Sequence, residues 1–280
     1  YKSDMEDLTD WEQLDLSGFP DRALLPQMTE FLNEIYVTTE AGDLYVSSDG
    51  QNWTQAAIDK PIKAILGYLP ASTVSGRKDV LCCIAEVDDE LRFISIDKQL
   101  GYTQGQKVPE TFPISGFGQF HYETMYYPRL VVATGRDIKN NIIDKAWATM
   151  DGLAWASLSN PQQTFMWREG AAVFYYGYRF FVIGGIAYYG LGLNDIYFSV
   201  DQGVNWFTER VVRYNEEVDE YESESFYLMP DELARGYTSV IVDKDNYILL
   251  FGGKARIDSH NVLNEIWRGR INYMGFGKSR

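Results

Sequence analysis

The sequence predicts an all-β chain, a single β-propeller of five four-stranded blades, and three observations carry that prediction. Apolar strands, several of them closed by glycine, recur along the 280 residues. An aromatic follows each of them at a regular interval: Tyr45, Phe93, Trp147, Tyr197 and Trp267 are spaced 48, 54, 50 and 70 residues. A second aromatic, at the next strand, gives Trp53, Tyr102, Trp155 and Trp206, spaced 49, 53 and 51. Two independent markers with one period define a repeat in which each unit is a sheet. The composition agrees, because 20 Tyr, 15 Phe, 7 Trp and 24 Gly suit strands and hairpins better than helical bundles.

The units follow in order. Unit one has an apolar strand at Ile35–Thr38 and a second strand leading through Asp43 to Trp53. Unit two has Val80–Ala85, then Glu90–Ser95 and Tyr102. Unit three has Arg129–Gly135, then Lys145 to Trp155. Unit four is the clearest: Arg179–Gly185, then Asn194 to Thr208. Unit five has Tyr247–Gly253 and Asn264–Arg268 but no third strand. An inner strand precedes the apolar run, as in Glu169–Tyr175 and Arg235–Val242, joined to it by turn residues at 176–178 and 243–246. Met28–Ile35 is read as a short helical turn.

The outer strand missing from unit five has a counterpart at the other end of the chain. Asp10-Trp11-Glu12-Gln13 resembles Asn52-Trp53-Thr54-Gln55. Residues 8–16 are therefore expected to complete the last blade, which leaves no strand edge open. The domain spans 1–280, with an insertion at about 211–233. A sixth, degenerate blade within that insertion is the alternative.

Net charge is −15, a field that repels phosphate backbones and argues against a nucleic-acid partner. No run of 18 apolar residues predicts a spanning helix. Tyr1 is not a start Met and no leader is visible, so a signal or lipid anchor is expected upstream. The two cysteines, Cys82 and Cys83, are neighbours on one strand. Adjacent strand side chains point to opposite faces, so two buried thiols are expected rather than a mutual disulfide. Cysteine usage does not fix the compartment.

Arg168 to Trp206 and Arg235 to Trp267 carry Arg, an apolar strand ending Gly-Gly, an Asn-x-Ile-aromatic stretch and, in the first, a closing Trp. This resembles the kelch repeat. Ser199-x-Asp201-x-Gly203-x-x-Trp206 also resembles the Asp box of sialidases and secreted propellers, and Ser47 to Trp53 and Thr149 to Trp155 are versions shorter by one. Together these cover essentially the whole chain, which is similar to secreted propeller proteins of unknown function from gut Bacteroidetes, often lipoproteins. The resemblance implies an extracytoplasmic setting at the cell surface or in the periplasm.

In such a turn the Asp and Ser or Thr side chains cap backbone groups, and the Trp packs between sheets. Asp49, Asp151, Asp201, Trp53, Trp155 and Trp206 are accordingly read as structural. The functional candidates lie elsewhere. Arg22, Arg168 and Arg235 stand 12 or 13 residues before the apolar strands of their units. One reading is a cationic rim that forks a carboxylate, as in a sialic or uronic acid. The other is an ion pair to a neighbouring blade. Trp167, Tyr188 and Tyr189 offer rings for stacking on sugars, or for packing on the adjacent blade.

Chemistry beyond binding has thin support in the residues. The sialidase resemblance implies an arginine triad, a Tyr–Glu pair and an acid–base Asp, none of which can be picked out, and Pro20–Pro26 only faintly echoes that family's Arg-Ile-Pro. The copper site of kelch oxidases needs two His and a Cys-linked Tyr; here the only histidines are His121 and His260. Metal-ligand spacings are absent, and neither a metal nor a cofactor is expected. Asn215–Glu224 holds six acids in ten residues and reads as a solvated loop, with a calcium or basic-partner site as the sharper alternative. The function expected is a noncatalytic binding or scaffold propeller that takes a glycan or glycoprotein. The alternatives are a sialidase-like glycosidase, a kelch-type sugar epimerase, and a protein–protein platform.

Overall fold

A computed structural model describes residues 15–19, 28–71, 76–123, 128–158, 165–209, 211–215, 220–226, 234–242, 247–256, 263 and 265–270. Among them there is no helix, and five antiparallel meander sheets follow one another as the blades of a five-bladed β-propeller. The first sheet comprises β1 (Met28–Phe31), β2 (Glu34–Thr38), β3 (Leu44–Ser47) and β4 (Thr54–Gln55). The second comprises β5 (Ile62–Leu69), β6 (Val80–Val87), β7 (Glu90–Ile96) and β8 (Tyr102–Lys107). The third comprises β9 (Gly118–Glu123), β10 (Pro128–Ala133), β11 (Ala146–Thr149) and β12 (Ala156–Ser157). A two-stranded ribbon, β13 (Arg168–Glu169) with β16 (Ile186–Ala187), accompanies the fourth sheet, which comprises β14 (Ala172–Tyr176), β15 (Arg179–Ile183), β17 (Ile196–Ser199) and β18 (Phe207–Thr208).

The described residues of the insertion form a separate two-stranded hairpin, β19 (Val211–Asn215) with β20 (Glu220–Phe226), rather than a four-stranded sixth sheet. The fifth sheet shows β21 (Ser239–Val242), β22 (Tyr247–Phe251) and β23 (Ile266–Arg270). Of residues 8–16, expected to add its fourth strand, 8–14 lie outside the described residues, as does the turn at 243–246, while Asp15 and Leu16 are in no strand. Ser17 forms a parallel bridge to Asn52, and the Phe19 ring meets Trp53 edge-on at 4.9 Å.

The helical turn expected at Met28–Ile35 is instead a hairpin. Leu32 and Asn33 have φ of 55° and 63°, the two-residue loop whose twist matches antiparallel strands. The same loop recurs at Asp88-Asp89 between β6 and β7 and at Gly177-Tyr178 between β14 and β15.

The chain divides into two compact units. One consists of Tyr1–Pro109, His121–Leu130 and Thr149–Trp155. Its core joins Phe31, Leu44, Ile65, Leu81, Cys83 and Ile94. The neighbour Cys82 faces the other way: a Cβ on Gly152 would lie 2.6 Å from its Sγ. Both thiols are free and buried, as alternation along β6 requires. The second unit consists of Glu110–Phe120, Val131–Ala148 and Ala156–Arg280. There Phe174 stacks on Phe181 at 5.1 Å in a cluster with Ile248 and Leu250. On the opposite face of the same sheet Phe180 meets Phe120 at 4.5 Å. A sheet covered on both faces explains why Phe180–Ile183 is apolar without alternation.

Candidate binding site

The two described arginines of the repeated phase are interior groups. Arg168 is 0% exposed. Its Nη1 and Nη2 donate to Asp195 Oδ1 and Oδ2 at 2.5 and 2.9 Å, Nη1 also donates to the Gly184 carbonyl at 2.7 Å, and Nε donates to the Met166 carbonyl at 2.9 Å. Arg235 is 2% exposed and repeats the pattern. It donates to the Gly252 carbonyl at 3.1 Å and to Glu265 Oε2 at 3.0 Å. Each arginine therefore caps the first carbonyl of its unit's Gly-Gly pair and pairs with a carboxylate of its own blade, Arg168 through both oxygens of Asp195 and Arg235 through one oxygen of Glu265. The expected cationic rim is not formed by these two side chains, because both are buried and directed to a carbonyl and a carboxylate of their own blade. Arg22 lies outside the described residues.

The glycine pairs let neighbouring backbone come close. Gly185 N–H donates to the Arg235 carbonyl at 2.7 Å, and a Cβ on Gly184 would lie 2.5 Å from that oxygen. A further motif went unread in the sequence. Gly116, Gly170 and Tyr237 all adopt positive φ, and Tyr237 N–H donates to Gly170 O and Gly170 N–H to Gly116 O, both at 2.6 Å. Beside this ladder Glu169 accepts from Arg136 Nε and Nη2 at 2.7 and 2.5 Å and from the Tyr237 hydroxyl at 2.6 Å. Burial and the Glu169 carboxylate hold the Tyr237 phenol well above its ordinary pKa, and the same carboxylate raises that of Arg136. The Glu169 side chain is only 3% exposed, and these two partners give it three hydrogen bonds. The missed signal is that Tyr237 stands where the repeat otherwise has Gly116 and Gly170.

The aromatic candidates are brought together by register. In the β13–β16 ribbon Arg168 pairs with Ala187 and Glu169 with Ile186. One step outward, Trp167 comes opposite Tyr188. Arg168 and Ala187 point inward, so the next pair points out. Trp167 is 54% and Tyr188 70% exposed. Tyr188 and Tyr189 occupy the centre of a turn closed by Gly190 N–H donating to the Ala187 carbonyl at 2.8 Å, and their rings meet edge-on at 5.0 Å. The return of the loop is pinned by Gly192 N–H to the Ala255 carbonyl at 2.7 Å and by a bridge from Leu191 to Arg256. Trp167 and Tyr188, with Phe165, Met166 and Tyr197, line an open concavity of about 320 Å3. Tyr189 is exposed beside it but does not line it. Sequence reasoning does not single out Phe165 and Met166, and it treats Tyr197 only as a repeat marker.

The turn residues make local hydrogen bonds. Asp49 Oδ1 accepts from the N–H groups of Gln51 and Asn52 and from the Ser47 hydroxyl, and Asp151 does the same for Leu153, Ala154 and Thr149. Asp201 accepts from Asn205 N–H at 2.8 Å and from the Ser199 hydroxyl at 2.9 Å. Trp53 and Trp206 donate their indole N–H to Gly50 and Gly203 carbonyls at 3.1 and 2.9 Å. Trp155 packs on Phe93 and Trp206 on Phe165, at 5.6 and 5.1 Å. These carboxylates are tied up in their own turns.

The His121 and Tyr68 rings meet tilted at 53° with centroids 4.5 Å apart, and Tyr68 Oη lies 3.0 Å from His121 Nε2. His260 lies outside the described residues. Among the described residues no three His, Cys, Asp or Glu converge as metal ligands. No helix among them is long and apolar enough to cross a membrane.

A family model described as the DUF6242 beta propeller domain matches residues 1–279. Among solved structures, that of YjhT has a TM-score of 0.51 at 11% sequence identity, covering 92% of this chain and 97% of that one. At that identity the likeness concerns the fold alone. No curated protein gives a significant match.

Proposed function

We infer that this chain, which belongs to the DUF6242 beta propeller domain family, acts as a noncatalytic carbohydrate-binding module through the Trp167–Tyr188 concavity. The observation that carries the reading is the lining itself. Outward-facing aromatic rings on a pinned ribbon border a hollow of about 320 Å3. Sugars present C–H faces that stack on such rings, and rigid aromatics lose little entropy on binding. Glycoside hydrolysis by paired acids needs two carboxyl groups flanking the bond, and among the described residues no carboxylate lines this hollow. The nearby Asp195 is held by Arg168. An extracytoplasmic, surface-anchored setting suits such a module and rests on the resemblance to secreted propellers.

A glycan array probed with the native chain and with Trp167→Ala tests this. Binding is expected for the native chain and not for the variant, with matching thermal midpoints because the Trp167 ring is largely exposed. Binding that survives Trp167→Ala, or release of reducing sugar from any arrayed glycan, overturns the reading.

A further inference from the structure

We propose that the Trp167–Tyr188 concavity selects an uncharged pyranose, one or two rings of a neutral glycan, and discriminates against uronic and sialic acids. This rests on the binding reading above and adds the charge class of the ligand.

Recognition of a carboxylated sugar calls for a cation at the site, preferably a guanidinium fork. The arginine beside the hollow cannot act this way. Arg168 lies behind the lining, its guanidinium carbon 5.1 Å from the Tyr197 ring centroid, and its donors are directed to Asp195, Gly184 and Met166. Turning it outward would strand Asp195. The five lining residues carry no positive charge.

The wider field points the same way. With a net charge of −15 an anionic ligand approaches against the potential, whereas a neutral ring does not. Among the lining residues Trp167 carries an indole N–H and Tyr188 a hydroxyl, groups that suit sugar hydroxyls. The volume lies at the lower end for ligand sites, which limits the contact to one or two rings. Arg256, an exposed cation bridged to Leu191, does not line the hollow. It supplies the control.

Titration calorimetry of the native chain, Trp167→Ala and Arg256→Ala decides the matter. The probes are neutral gluco-, manno- and N-acetylglucosamine oligosaccharides, set against oligogalacturonate and sialyllactose, at low and physiological salt. The expected result is binding of a neutral oligosaccharide that changes little with salt. It weakens about tenfold or more in Trp167→Ala and persists in Arg256→Ala. Tighter binding of an acidic probe, weakened by salt or by Arg256→Ala but still dependent on Trp167, overturns the neutral selectivity and leaves the binding reading standing. Absence of binding to every probe overturns both.

Discussion

A single carboxylate at Asp201 organises the turn between β17 and β18. Partial burial pushes its pKa up, but the Asn205 amides and the Ser199 hydroxyl outweigh this and hold it below the ordinary aspartate range. Asp49 is lowered too, chiefly by the Asn52 backbone N–H, then by the Asn52 side chain and Gln51. Groups with depressed folded pKa values contribute stability that is complete above the unfolded value of about 4 and lost as pH falls through the folded values. Acid unfolding below about pH 4 should therefore be less steep in Asp201→Asn than in the native chain, as read by circular dichroism. The third turn differs at one position. Asn52 and Asn205 each give a side-chain N–H to the second carboxylate oxygen, whereas Asp151 has Ala154 there. Ala154→Asn restores that donor at an exposed position and is expected to stabilise the chain by about 0.5–1 kcal/mol, measured by urea denaturation. A neutral or destabilising result would mean that the second oxygen gains nothing from a partner.

Within the elements, the interior ion pairs of Arg168 and Arg235 should differ in weight. Arg168→Ala leaves Asp195 as an uncompensated charge at a nearly buried site, a change of about 3–5 kcal/mol in such pairs. Arg235→Ala leaves Glu265, whose side chain is 53% exposed and open to water. Chemical denaturation should rank the losses Arg168→Ala well above Arg235→Ala, and equal losses would show that the carbonyl caps, not the carboxylates, dominate. These two positions also mark how far the sequence can be read. Their shared phase is visible as a spacing, and so is the sheet succession, because strand periodicity and turn glycines are local signals. The inward course of the guanidinium groups is not, because it depends on Asp195 and Glu265, which follow 27 and 30 residues later among many acids. Trp167 and Tyr188 are each recognisable as candidates. Their adjacency comes from the Arg168–Ala187 register, and a one-residue slip would send the two rings inward. Met28–Phe31 misleads for a local reason: its two-residue loop is Leu32-Asn33 rather than a glycine-bearing pair.

For the whole molecule, the cysteines on β6 supply a reporter of opening. Both are fully buried, and burial raises each thiol far above its ordinary pKa, so the reactive thiolate is suppressed as well as covered. Cys82 packs against Gly152, whose φ of 75° and 2.6 Å Cβ approach to the sulfur leave no room for a side chain. In the folded chain neither thiol should react with an aromatic disulfide reagent except by unfolding, so the labelling rate should match the opening rate measured by denaturant jump. Gly152→Ala, strained in both backbone and contact, should accelerate labelling at Cys82. The same measurement bears on the proposal that residues 8–16 complete the fifth sheet. A chain beginning at Gly18 would leave β23 with an unpaired edge, and cooperative loss of that sheet would raise labelling at β6 as well. Labelling unchanged from the full chain would show that the N-terminal stretch carries no part of the closure. Prompt, stoichiometric labelling of the native protein would show that the second sheet opens on its own, and the thiols could then no longer serve as a measure of the whole.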